Sequence, residues 1–117
     1  MDRSLEFYEA STTELRERLI RVLGAPSTNR LVERAVVEIS DTHPELRALK
    51  FDGDDITFGD LRASLADADD ERVREAFTAL TGVLLLLVAR LLGREVADRL
   101  TEGVTIAEYL RKGGLRD

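Results

Sequence analysis

The chain has 117 residues, of which 44% are hydrophobic and 34% charged, and its net charge is −6. This composition suits one soluble domain with its own core, and the negative charge disfavours non-specific binding to nucleic acid or to an anionic membrane surface. The sequence contains no cysteine, which excludes disulfides, thiolate metal sites and cysteine nucleophiles. Residues 1–10 are polar and acidic without a secretory signal, so we expect a cytoplasmic protein.

The first predicted helix begins at Ser11. Ser11 precedes Glu14 by three residues, which is the spacing of a capping box. Apolar residues then recur at helical intervals until Gly24, which is a natural helix end. The preceding residues 4–10 are expected to form a separate helical turn or an arm that packs on a neighbour.

A second helix is predicted shortly after the first. Ser27 or Thr28 is its expected N-cap, and its apolar face ends at Ile39. His43 and the proline that follows end this helix or open a short helical turn over residues 44–49, because proline suits a first helical turn.

Residues 51–61, FDGDDITFGDL, resemble the second half of an EF-hand calcium loop. Against the ligand positions of such a loop the segment is one residue short, and Lys50 falls where the first carboxylate belongs. Asp60 would also replace the bidentate glutamate with a shorter side chain. The segment instead predicts a β-hairpin over residues 49–58, followed by a helix capped by Thr57. Its apolar residues are expected to face the core and its aspartates the solvent.

The longest predicted helix runs from about Asp70 to Leu92. One apolar row recurs along it at intervals of four and three, as in a heptad pattern: Val73, Phe77, Leu80, Leu84, Leu87 and Leu91. A second row consists of Leu85, Val88, Leu92 and Val96. Two rows indicate burial on two sides, either as the central helix of the domain or as a helix shared with a dimer interface. The uninterrupted apolar run, residues 83–89, is shorter than the about 20 residues of a spanning helix, so we expect a core helix.

The C-terminal part is predicted to contain one more helix. Gly93 either ends the long helix or only weakens it, and Gly103 breaks the apolar pattern. Thr105 precedes Glu108 with the spacing of a capping box, and the glycines at 113–114 would close the helix that follows.

The sequence shows no catalytic constellation. His43 is the single histidine, and the proline directly after it disfavours the continuous helix in which a phosphotransfer histidine sits. The acidic residues 67–71 are typical of a solvated helix start. The chain contains no Walker loop, no dinucleotide-binding motif and no nucleophile elbow. We therefore expect no enzymatic activity, no cofactor and no metal.

Together these features predict an all-α domain over residues 1–117, a compact bundle of about four to six helices around the leucine-rich helix, with one minor β-hairpin. We expect a non-catalytic cytoplasmic protein-interaction or regulatory domain that binds itself or a protein partner, and neither nucleic acid nor membrane. The interface is expected to use the second apolar row, Leu85, Val88, Leu92 and Val96. The alternative is an acidic metal-binding or phosphotransfer signalling module that uses His43 or four aspartates: Asp52, Asp54, Asp55 and Asp60.

Overall fold

The computed structural model describes residues 3–52, 55–100 and 102, and it confirms an all-α fold with one minor hairpin. Two long helices come first, α1 (Arg3–Leu23) and α2 (Ala25–Ile39), followed by the predicted short turn as a 3-10 helix (Pro44–Ala48). The hairpin consists of β1 (Lys50–Asp52) and β2 (Asp55–Thr57). Three helices follow, α3 (Gly59–Ser64), α4 (Asp70–Leu92) and α5 (Arg94–Leu100). The predicted break at Gly103 and the helix expected after it lie outside the described residues.

α1 is one continuous helix, so the prediction of a separate segment before Ser11 was wrong. Ser11 is buried within α1 and does not cap its start. The helix contains neither glycine nor proline that would interrupt it. Its N-terminal half is held by Tyr8, whose ring stacks on that of Phe77 in α4 with the two centroids 5.5 Å apart.

Gly24 turns the chain between α1 and α2. Its N–H donates to the carbonyl of Ile20 (2.8 Å), and its carbonyl accepts from the N–H of Thr28 (3.1 Å). The backbone there has φ +84° and ψ 161°, a conformation that residues with a side chain rarely adopt. Because α2 begins directly after Gly24, the predicted cap at Ser27 or Thr28 was wrong, and Thr28 is instead fully buried.

The hairpin predicted over residues 49–58 is confirmed, and its antiparallel register defines two faces. Phe51 pairs with Ile56, and both side chains are half-buried against the core. Asp52 pairs with Asp55, and both are exposed to solvent. The predicted arrangement of apolar residues inside and aspartates outside is therefore confirmed for the described part of the hairpin.

The start of α3 differs from the prediction. Phe58 is its N-cap, and no side chain caps the helix there. Thr57 belongs to β2, where its hydroxyl donates to the carbonyl of Lys50 (3.4 Å). The helix contributes Leu61 to the core, and Leu65 is buried directly after it.

α4 is the central helix, and its predicted bounds are confirmed. The carboxylate of Asp69 caps it by accepting from the N–H of Arg72 (2.8 Å). The helix packs against α1, α2 and α5, and its first apolar row is buried as far as Leu84. Further along that row Leu87 is half-buried and Leu91 is 59% exposed. The last turns of α4 therefore carry more apolar surface than the core covers.

α4 is also long and apolar enough to cross a membrane, judged by length and composition alone, and it is the single such helix in the described chain. The core helix of a soluble protein passes the same test. In this fold 44% of its most apolar 18-residue window is buried. The expectation that the chain does not bind a membrane therefore stays a prediction.

Candidate interaction surface

The four residues of the second apolar row do not form one exposed face. Val88 is completely buried in the core. Leu85 and Leu92 are half-buried and pack against the core, and Val96 is half-buried on α5. The row is interrupted because α4 ends at Gly93, where φ is +92° and the N–H donates to the carbonyl of Ala89 (2.8 Å). Gly93 thus ends the helix, and Val96 belongs to a new one.

Two exposed leucines of α4 were not among the predicted contact residues. Leu86 is 48% exposed and Leu91 is 59% exposed. A sequence signal for Leu86 exists, because the uninterrupted apolar run of residues 83–89 spans about two helical turns and places apolar side chains on every side of the helix. Leu91 is the last residue of the first apolar row. A core that packs against only part of the helix leaves some of these side chains in solvent.

The first of these leucines lies in a groove between α4 and α5, which we call the α4–α5 face. It is lined by Gly82, Leu85, Leu86, Ala89, Arg94, Ala97 and Asp98. Gly82 and Ala89 are small and lie seven residues apart, about two turns, so they share one side of α4. A Cβ atom added at Gly82 would meet nothing within 4 Å. The α4–α5 face therefore offers apolar side chains beside open space, with one residue of each charge at its edge.

The second leucine lies in a groove between α2 and α4, which we call the arginine groove. It is lined by Ser27, Arg30, Leu31, Arg34, Leu87, Arg90 and Leu91. The three leucines form its apolar part, and no acidic residue lines it. The charge of the groove lining is therefore positive, whereas the whole chain carries a net charge of −6.

A third groove, along α1, is predominantly acidic. Its lining includes Glu6, Glu14 and Glu17, together with Phe58 and the paired residues Glu9 and Arg62. The side chain of Glu9 is only 8% exposed and accepts two hydrogen bonds from the Arg62 guanidinium, at 2.8 and 2.6 Å. These hydrogen bonds raise the pKa of Arg62. Arg62 therefore satisfies both oxygens of Glu9, the most buried carboxylate of this groove.

The acidic residues of the alternative signalling hypothesis that the structure describes are all exposed to solvent. Asp52 and Asp55 are exposed at the end of the hairpin, and Asp60 is exposed in the first turn of α3. Asp54 lies outside the described residues. Among the described residues no group of three or more histidine, cysteine, aspartate or glutamate side chains could hold a metal ion.

His43 lies between α2 and the 3-10 helix, outside any α-helix. It is half-buried, and its Nδ1 atom has no hydrogen-bond partner within the described ranges. Its backbone N–H donates to the carbonyl of Ile39 (2.8 Å). The geometry matches the sequence argument that Pro44 keeps this histidine out of a continuous helix.

Arg72 joins the start of α4 to the segment that contains His43. Its Nε and Nη2 atoms donate to the two carboxylate oxygens of Glu45, at 2.7 and 2.9 Å. Nη2 also donates to the carbonyl of Thr42 (2.9 Å). The hydrogen bonds from Arg72 are the main reason that the pKa of Glu45 lies below its ordinary value of 4.5.

The pair predicts a pH-dependent contribution to stability. Because the pKa of Glu45 is lowered in the folded state, its stabilisation is complete above pH 4.5 and is lost as the pH falls through the folded-state pKa. We expect Glu45→Gln to lower the free energy of unfolding by roughly 0.5–1 kcal/mol near neutral pH, and by much less in acid. Urea unfolding at several pH values measures this difference.

Glu38→Gln is the matched control for that prediction. Glu38 pairs with Arg34 on the exposed side of α2, at 2.9 Å and one helical turn apart. Such a pair contributes about 0.3–0.5 kcal/mol at most, so the control is expected to change stability less. A Glu45→Gln deficit that stays constant from neutral to acid pH would contradict the assigned role of the pair.

The chain matches no protein-family model, no curated protein and no solved structure. Its function is therefore inferred from its own surfaces.

Proposed function

We propose that the chain is a protein-interaction domain that self-associates through the α4–α5 face. The observation that carries the proposal is Leu86, a leucine 48% exposed in the central helix of the fold. Fully burying an exposed leucine side chain stabilises by about 1.5–3 kcal/mol, so covering the remaining 48% of Leu86 would gain roughly half of that. A symmetric dimer would gain this energy twice, once from Leu86 of each copy.

The shape of the α4–α5 face suits the approach of another helix. Gly82 and Ala89 flank Leu86 on the same side of α4, and neither has a side chain beyond Cβ. Small residues at an interface let two helix backbones come close, so the leucine of one helix can fill the space above the small residues of the other. This arrangement keeps Leu85, the one lining residue that the sequence analysis also predicted, within the interface.

Charge supports pairing of this face with itself. A two-fold symmetric dimer places the same patch on both sides of the interface, so a face dominated by one sign of charge repels its copy. The α4–α5 face carries one arginine, Arg94, and one aspartate, Asp98. The arginine groove would instead bring three guanidinium groups against three. Of the two leucine-containing grooves, the α4–α5 face is therefore the better one for a homodimer.

Sedimentation velocity of three proteins tests the proposal. The wild type is expected to sediment as a dimer at micromolar concentration, whereas Leu86→Glu is expected to be a folded monomer, because two buried carboxylates would meet at the interface. Val37→Glu is the matched control, since Val37 is 69% exposed on α2 and lines neither leucine-containing groove. Raising the salt concentration should strengthen the dimer by screening the net charge of −6 on each copy.

Two outcomes would contradict the proposal. One is a wild type that remains monomeric up to high micromolar concentration. The other is a dimer that Val37→Glu dissociates as effectively as Leu86→Glu, since that result would place the interface elsewhere. Circular dichroism of each variant establishes that it is folded before its mass is interpreted.

A further inference from the structure

We infer that the arginine groove between α2 and α4 binds an acidic amphipathic helix of a protein partner. The groove combines two features that such a helix would match, namely an apolar strip and flanking positive charge. It uses residues different from those of the α4–α5 face, so the two sites can be present or absent independently.

The apolar strip is formed by Leu31 of α2 and by Leu87 and Leu91 of α4. Leu31 and Leu87 are half-buried, and Leu91 is 59% exposed. The three side chains line one groove between the two helices, and an apolar groove of this kind accepts apolar residues spaced at i, i+3 and i+4 on a bound helix. The exposed Leu91 thus shares one groove with two partly exposed leucines, and an apolar strip rimmed by polar residues is typical of an interaction site.

The positive charge flanks this strip on both sides. Arg30 and Arg34 lie on α2, and Arg90 lies on α4. Arg34 is partly neutralised by Glu38, whereas Arg30 and Arg90 form no side-chain ion pair with any residue that the structure describes. Two guanidinium groups with no ion-pair partner in the described part of the chain therefore border the leucines, although the total charge is −6. They are available to pair with carboxylates at both edges of a bound helix.

The same features favour a protein helix over the other anionic partners. A nucleic acid supplies phosphates for the arginines but no aliphatic side chains for the leucines. An anionic bilayer is broad, and it would meet Glu38, which lies one turn beyond Arg34 on α2 and pairs with it, so a negative surface would face a carboxylate. An acidic amphipathic helix satisfies the leucines and the arginines together. Its expected pattern is leucine-like residues on one stripe with glutamate or aspartate on either side.

The exposed leucine of the arginine groove, Leu91, lies on a different side of α4 from the small residues of the proposed dimer interface. Leu91 follows Gly82 by nine residues, which at 3.6 residues per turn places the two on opposite sides of the helix. A dimer formed through the α4–α5 face would therefore leave Leu91 accessible, whereas Arg90 follows Leu86 by four residues and lies on the same side of α4 as that residue.

Fluorescence anisotropy of a labelled synthetic peptide tests the inference on the full chain. The probe is a helix of about 18 residues with leucine at every third or fourth position and glutamate beside the leucines. We expect saturable binding that weakens as the salt concentration rises, because the recognition is partly electrostatic. The double variant Arg30→Glu, Arg90→Glu is expected to lower the affinity by about tenfold or more.

Matched controls separate groove binding from general attraction. Arg47→Glu changes an exposed arginine of the 3-10 helix outside the groove and should retain the wild-type affinity. A peptide with lysine in place of each glutamate, and another with serine in place of each leucine, should bind at least about tenfold more weakly.

The inference is overturned if Arg47→Glu weakens binding as much as the double variant does, or if the lysine peptide binds as well as the glutamate peptide. It is also overturned if phosphatidylserine vesicles or a single-stranded oligonucleotide bind through Arg30 and Arg90 more tightly than the peptide. Those two results would assign the groove to a membrane or to nucleic acid.

Discussion

Val88→Glu is expected to unfold the domain, although Val88 belongs to the same apolar run as the exposed Leu86. Val88 is completely buried, so a glutamate there would have to ionise in the core or remain protonated. Full burial can raise the pKa of a carboxyl group by about three units, which corresponds to about 4 kcal/mol near neutral pH. That cost is a large part of the total stability of a small domain. Circular dichroism and thermal unfolding measure the loss of the folded state.

Leu86→Glu is the matched control for Val88→Glu. Both variants place the same side chain on α4, two residues apart, and differ in whether the position is inside the core. Leu86→Glu should therefore keep the helical spectrum and a cooperative transition. A folded Val88→Glu with the stability of the wild type would show that α4 does not pack in the described orientation.

Phe77→Ala is expected to destabilise the fold by about 3–5 kcal/mol, the usual range for removing a buried aromatic side chain. Phe77 is fully buried near the middle of α4 and is among the largest core side chains. Its loss would leave a cavity and remove the stacking partner of Tyr8, which holds the first turns of α1. The midpoint of urea unfolding should fall accordingly, with little change in the dependence on urea.

Phe7→Ala is the control for this prediction. Phe7 is adjacent to Tyr8 but is 45% exposed, and its ring contacts that of Tyr8 edge to face with centroids 5.1 Å apart. Its removal is expected to cost about 1 kcal/mol or less. If the two alanine variants were equally stable, the contact between α1 and α4 would not be the one that the structure shows.

The fold was largely predictable because its local signals agree with its packing. Asp69 has the residue type and position of an N-cap, and Gly93 has the residue type that ends a helix, so the bounds of α4 follow from local chemistry. The hairpin follows from the switch between periodicities around residues 51–56. α1 was mispredicted because Ser11 and Glu14 have capping-box spacing, yet a serine inside a helix is acceptable when tertiary contacts such as that of Tyr8 extend the helix.

The candidate surfaces were less predictable because exposure depends on neighbouring helices. Periodicity identifies which sides of α4 are apolar, but it cannot decide which side α1, α2 and α5 cover. Val88 was therefore assigned to the interface although it is completely buried, and Leu86 was not, although it is 48% exposed. The arginine groove is still harder to predict from the sequence. Arg34 and Arg90 are 56 residues apart and line one groove only because α2 packs against α4.

Isotope-filtered nuclear Overhauser spectroscopy on an equal mixture of labelled and unlabelled wild-type chains tests self-association through the α4–α5 face. It detects contacts between copies without any substitution. We expect intermolecular contacts from the methyl groups of Leu85, Leu86 and Ala89. Intermolecular contacts confined to other surfaces, such as that of Val37, or none at concentrations near the millimolar range, would contradict self-association through the α4–α5 face.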